Sequence, residues 1–178
     1  MAKLKAPIGP ADHAAGDEQA AVTMVEYGDY ECPHCRHAHP IVQSLQERFG
    51  KQLRFVYRNF PLTQIHPHAE MAAEAAEFEG SKGHFWEMHD AIFENQARLD
   101  RATLEELASD LGDPADELKT SLKNHEFLPK VKEDFMGGVR SGVNGTPTFF
   151  LNGERFDGMA EDLGEGIEEL LGSHRRRA

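Results

Sequence analysis

The chain has 178 residues, 39% of them hydrophobic and 28% charged, with 31 acidic against 19 basic side chains and a formal net charge of -12. That length suits one domain with a sizeable core, or one domain carrying an insertion. The acidic excess argues against nucleic acid or an anionic membrane as the main partner, because both are polyanions, and no apolar run reaches the roughly 18 residues that span a bilayer.

In chain order, residues 1–21 read as an irregular leader without periodicity. Pro7, Gly9, Pro10, Asp12, His13 and Asp17 interrupt any apolar signal core there. The chain as it stands is therefore expected to remain in the cytoplasm where it is made; a periplasmic or other extracytoplasmic place would require a signal since removed. Residues 22–27 form a β-rich run closed by Gly28-Asp29. From Pro33 the pattern turns helical, with Ala38, Val42, Leu45 and Phe49 on one stripe, Gly50 as the stop, and Pro40 expected to kink the helix. Residues 53–60 read as a second strand, with Leu53, Phe55 and Tyr57 on one face and Arg54 and Arg58 on the other. Strand, helix and strand make a βαβ unit, which implies parallel pairing and a right-handed crossover.

Residues from about 66 to 142 read as wholly helical. Ala69, Ala72, Ala73 and Ala76 share one stripe, and Phe85, Met88, His89 and Ile92 another. Leu104, Leu107, Ala108 and Leu111 form a third, with Thr103 and Glu106 as a capping box and Gly112 as the stop. Asp113-Pro114 opens a further helix as N-cap and first-turn proline, and Phe127, Val131 and Phe135 mark the last. These helices need their own apolar surface, so they read as an inserted subdomain beside the active site, with Phe85, Trp86 and Met88 packing inward. Strand signals return at Thr148-Phe149-Phe150-Leu151. Asn152-Gly153 is a hairpin turn leading to a short strand at 154–156. A terminal helix carries Leu163, Ile167, Leu170 and Leu171, and a basic tail occupies 173–178. Removing the helical block leaves a small mixed sheet with helices on its faces. That is an α/β layout of the thioredoxin kind, spanning 22–172 with an insertion.

The two cysteines, Cys32 and Cys35, stand three positions apart. A ring that small removes little chain entropy, so the pair suits redox or metal chemistry better than a structural staple. It opens a helix, where unpaired N–H groups and the positive end of the helix dipole favour a thiolate at Cys32. Pro33 at the first helical position sacrifices no hydrogen bond, and His34 adds positive charge or a hydrogen bond. A stabilised thiolate is the attacking species and, in reverse, the better leaving group. Cys35, one turn inside, suits a resolving thiol. The competing reading is a metal module, with Cys32, Cys35 and the nearby His34, His37, His39, His66 and His68 supplying a tetrahedral site. No second cysteine pair exists to complete a structural zinc knuckle, so no resident metal is expected.

The stretch Glu26-Tyr27-Gly28-Asp29-Tyr30-Glu31-Cys32-Pro33-His34-Cys35 resembles the active-site segment of the DsbA-like thioredoxin-fold oxidoreductases. The resemblance extends to Phe60-Pro61-Leu62, to His66-Pro67-His68-Ala69, to Gly83-His84-Phe85-Trp86-Glu87-Met88-His89 and to Gly142-Val143-Asn144-Gly145-Thr146-Pro147-Thr148-Phe149. It covers residues 10 to 172. By that resemblance Cys32 is the nucleophile, Cys35 resolves, Pro147 is the cis-proline facing the thiol pair, and the Thr146 backbone pairs with an extended substrate. Glu26 falls where thioredoxin-like proteins carry an acid on the first strand. From its neighbours alone it could be a buried proton relay or a surface carboxylate; the resemblance implies the relay. The function so implied is disulfide exchange with protein thiols or disulfides, with an unidentified recycling partner and no organic cofactor. Relatives that act with glutathione usually lack the second cysteine, which is present here.

Overall fold

A computed structural model describes residues 2–176, the side chain of Arg175 excepted, so the basic tail expected at 173–178 falls partly outside the described residues. Two strands form its centre. β2 (Val22–Gly28) and β3 (Leu53–Asn59) pair in parallel, from Val22 opposite Leu53 to Gly28 opposite Asn59. The crossover between them is α1 (Pro33–Phe49), which continues through Pro40. Its buried stripe is Cys35, Ala38, His39, Val42, Leu45 and Phe49, the helical spacing that an apolar face requires.

On the other side of β2 lies antiparallel β4 (Thr148–Leu151), followed by antiparallel β5 (Glu154–Phe156). Asn152 and Gly153 make the turn between them with φ of 49° and 83°. A two-residue hairpin that follows the twist of its strands needs that left-handed backbone. The leader is not irregular throughout. Its residues His13–Ala15 form β1, antiparallel to β3, because Tyr57, Val56 and Phe55 still had a free edge to fill. The sheet order is therefore β1-β3-β2-β4-β5.

Alternation along the strands divides the core. Met24, Phe55, Tyr57, Phe149 and Leu151 point to the face covered by α1 and by α7 (Leu163–Arg175). Val25, Tyr27, Val56 and Phe150 point to the opposite face, where Leu4, Ile8 and Phe135 cover them. Glu26, between Met24 and Gly28, shares the first face.

Five helices separate β3 from β4: α2 (Ala69–Ser81), α3 (Phe85–Glu94), α4 (Arg101–Asp110), α5 (Ala115–Asn124) and α6 (Leu128–Arg140). Phe85, Met88 and Ile92 of α3 join the main core, and Trp86 lies 5.5 Å from the Phe55 ring. α6 lies close on the second face because Gly138 has no side chain. A Cβ there would sit 2.7 Å from the Phe60 ring and 3.0 Å from that of Tyr27.

Two helix starts differ from the sequence reading. The cap of α4 is Asp100, whose carboxylate accepts the Thr103 N–H at 2.8 Å. The Thr103 hydroxyl donates instead to the Arg98 carbonyl, and Glu106 binds Arg98, so Asp100 displaces the expected capping box. Asp113 does not cap α5 either. That helix starts after Pro114, and the Asp113 carboxylate turns towards His84.

Candidate active site

Cys32 is the N-cap of α1, with φ -73° and ψ 123°, and Pro33 occupies the first turn. The thiol donates to the Thr146 carbonyl at 3.4 Å. The peptide bond between Thr146 and Pro147 is cis. Cys35 lies one turn further into the helix, fully buried, and its sulfur accepts the Asp29 N–H at 3.4 Å.

The two thiols are driven apart. Cys32 is lowered from 9.0 to about 5, first by the hydrogen bond that Cys35 offers its thiolate, then by the Thr146 side chain and the N–H groups of Cys35 and His34, against the opposing effect of burial. Cys35 is raised, chiefly by burial and then by holding its proton for Cys32. His34 therefore acts on the thiolate through its backbone N–H. Its side chain and Pro33 are exposed on the tip of the turn.

Glu26 is 3% exposed, which removes the surface reading. Its neighbours in register are Tyr57 on β3 and Phe149 on β4. Burial, with the Cys32 charge adding to it, raises the carboxyl from 4.5 to about 8. A proton is thus held near neutrality on a group electrostatically coupled to both cysteines.

Several residues that hold the site escaped the sequence reading. Asp29 is buried, and its carboxylate accepts the N–H groups of Glu31 and Leu62, each at 2.8 Å, with His66 Nδ1 also at 2.8 Å. Glu31 accepts the His68 N–H at 2.6 Å and faces His68 Nδ1 at 2.9 Å. The Tyr30 hydroxyl meets His89 Nδ1 at 2.9 Å. From the connection after α3, the Gln96 amide donates to the carbonyls of Tyr30 at 2.8 Å and Cys32 at 3.0 Å. The one sequence signal for these bonds was the run Asp29-Tyr30-Glu31 before the cysteine; nothing local marks Gln96.

Three of the histidines proposed for a cysteine metal site, His37, His66 and His68, are engaged elsewhere. His66 and His68 face Asp29 and Glu31, and His37 Nε2 lies 2.6 Å from Glu161. The described residues hold two groups of three side chains able to grip an ion, and neither includes a cysteine.

A thiol pair at a helix start, a cis-proline backbone against the outer sulfur and a buried acid beneath it define a dithiol site on a thioredoxin fold. The profile of the family described as Thioredoxin matches residues 9–169. BdbD from Bacillus subtilis superposes with a TM-score of 0.84 at 26% identity, covering 96% of this chain and 98% of its own. Wolbachia pipientis alpha-DsbA1 shares the fold, with a TM-score of 0.84 at 19% identity over 98% of this chain and 97% of its own. The chain belongs to the thioredoxin family, and its fold, a thioredoxin-like sheet with a helical insertion, is that of the DsbA structures. Among curated proteins it is similar to the Na(+)/H(+) antiporter NhaA 1 of Salinispora arenicola, 44% identical over 87% of this chain but 24% of that protein. It thus spans about a quarter of the length of the curated relatives it matches. No helix among the described residues is long and apolar enough to cross a membrane.

Proposed function

We propose that the chain exchanges disulfides with protein substrates, Cys32 acting as nucleophile and Cys35 as resolving thiol. The observation that carries this reading is the opposed behaviour of the two thiols, Cys32 held as thiolate at neutral pH and Cys35 as thiol. In the oxidising direction a substrate thiolate attacks the Cys32 sulfur of the Cys32–Cys35 disulfide. A substrate–Cys32 bond forms, the Cys32–Cys35 bond breaks, and the electron pair leaves on Cys35, which takes the proton held by Glu26. A second substrate thiolate then attacks the substrate sulfur and expels Cys32 as thiolate. The substrate is left oxidised and the enzyme reduced by two electrons. Because a stable leaving thiolate favours that last step, the couple is poised to oxidise its substrates. The Thr146–Pro147 edge beside Cys32 supports docking of an extended substrate segment there, since main-chain pairing does not depend on substrate sequence.

The test is trapping. Cys35→Ser should accumulate mixed disulfides through Cys32, while Cys32→Ser should abolish both exchange and trapping. Exchange that persists in Cys32→Ser rejects the reading.

The curated relatives support a second, compatible reading, that this chain works beside a sodium–proton antiporter as its redox domain or partner. In that case antiport in vesicles containing both proteins should respond to the Cys32–Cys35 redox state, and an identical response with Cys32→Ser would exclude it.

A further inference from the structure

One cluster in the helical insertion has no part in this chemistry. Glu79 stands near the C-terminus of α2 with a wholly buried side chain, 0% exposed. Neither Oε1 nor Oε2 has a hydrogen-bond partner. A buried carboxylate without donors is among the costliest groups a fold can carry. Its place sharpens the problem, because the last turn of a helix already presents the negative ends of its carbonyl dipoles. Burial, with Asp113 beside it, pushes Glu79 up to about 7, against the opposing pull of His84.

Two further donors converge on it. His84 Nδ1 lies 3.7 Å from Glu79 Oε2 and 3.2 Å from Asp113 Oδ2, and the ligand atoms of all three lie within 4.8 Å of one another. Around a zinc-sized ion with bonds of about 2.0–2.2 Å, neighbouring ligands stand about 3.0–3.6 Å apart, so the cluster needs little movement to close. The nearest cation, Lys82, binds Glu117 at 2.6 Å and stays 4.0 Å from Asp113. An imidazole with two carboxylates suits a first-row transition ion better than calcium or magnesium, which prefer all-oxygen shells. His84 is 40% exposed and leaves a path for ion and water.

We propose that Glu79, His84 and Asp113 form a divalent transition-metal site, zinc by preference, that clips the α2–α3 turn to the α4–α5 turn. The turns are shaped to bring these residues together. Gly83 precedes His84 with φ +90°, and Gly112 precedes Asp113 with φ +96°, a backbone that side chains rarely adopt. The site is separate from Cys32 and Cys35 and is independent of their redox role.

The test uses the full chain in its oxidised form, so that the thiols cannot bind the probe. Cobalt(II) chloride is titrated and read by visible absorption, with zinc chloride as competitor. One equivalent should bind with the bands of nitrogen and oxygen ligation and be displaced by zinc. Glu79→Gln and His84→Ala should each weaken binding by at least about tenfold, while His37→Ala, at an exposed histidine elsewhere, should not. Should Glu79→Gln fail to fold, the exposed His84 keeps the test open. Absence of saturable binding up to millimolar cobalt, or binding that survives His84→Ala and Glu79→Gln unchanged, overturns the site and leaves a proton shared between Glu79 and Asp113.

Discussion

The side-chain amide of Gln96 reaches the carbonyl oxygen of Cys32 at 3.0 Å, so the helical insertion itself grips the turn that carries the reactive sulfur. The same amide holds the Tyr30 carbonyl, which leaves the turn little freedom on that side. Replacing Gln96 by Ala removes both bonds and should destabilise the protein by about 1–3 kcal/mol. It should also shift the equilibrium with glutathione, since the orientation of the Cys32 peptide changes. Urea unfolding gives the first quantity and redox titration the second; an unmoved redox equilibrium would reduce Gln96 to a structural tie.

Cys32 should alkylate far faster than Cys35, with a rate that titrates near pH 5. Iodoacetamide labelling of the reduced protein across pH measures this, and a midpoint near 9.0 would contradict it. His34→Ala retains the backbone N–H and should leave the midpoint close to its original place. The linkage sign follows from the lowered value. The thiolate stabilises the reduced fold above the free-thiol value of 9.0, and that contribution disappears as pH falls through about 5. The urea midpoint of the reduced protein should therefore fall over that range relative to Cys32→Ser.

Glu26 titrates in the opposite sense. Raised from 4.5 to about 8, it favours folding most below 4.5, and that advantage fades as pH climbs through 8. As the proposed proton carrier for Cys35, it should give resolution of the mixed disulfide a pH dependence near 8. Glu26→Gln should slow that step by about 10²-fold, the lower end for a positioned acid–base group, and should flatten the profile. Stopped-flow kinetics with a fluorescent peptide disulfide would show either; unaltered kinetics would leave Glu26 only an electrostatic neighbour.

Arg58 is buried, and its guanidinium forks onto Asp12 at 2.7 and 2.9 Å while donating to the carbonyls of Ala6 and Pro7. It also reaches the Tyr27 hydroxyl at 2.9 Å. Arg58→Met strands the Asp12 charge and should cost about 3–5 kcal/mol. Asp12→Asn with Arg58 retained should cost less, because the amide oxygen still accepts one bond. Denaturant melts of the two variants decide the order.

What the sequence made legible was periodic or covalent. The βαβ unit, the stripe of α1 and the Asn152-Gly153 hairpin announce themselves through spacing and turn chemistry. The Cys32–Cys35 pair is visible because two thiols one helical turn apart have few other uses. What Gln96, Asp29 and His89 bind was illegible for the opposite reason. Each acts on residues 33 to 66 positions away, and no local pattern encodes a partner across the fold. The start of α4 failed on competition, since Thr103 and Asp100 are both good caps and only the path of the preceding chain decides between them. β1 failed because three residues are too few for alternation to register.

The N-terminal segment that Arg58 holds has a consequence for the margins of the sheet. The Leu4 N–H bonds to Gly153 and the Arg155 N–H to Ala2, and Lys3 bridges Glu154, so the run starts on the β5 side. It then crosses the face over Leu4 and Ile8 and ends as β1 on the far side of β3. Open strand margins are where chains of different molecules join end to end. One short run covers both margins here, so losing it would bare two sticky borders at once, and the Arg58 fork is one of the ties that hold it in place.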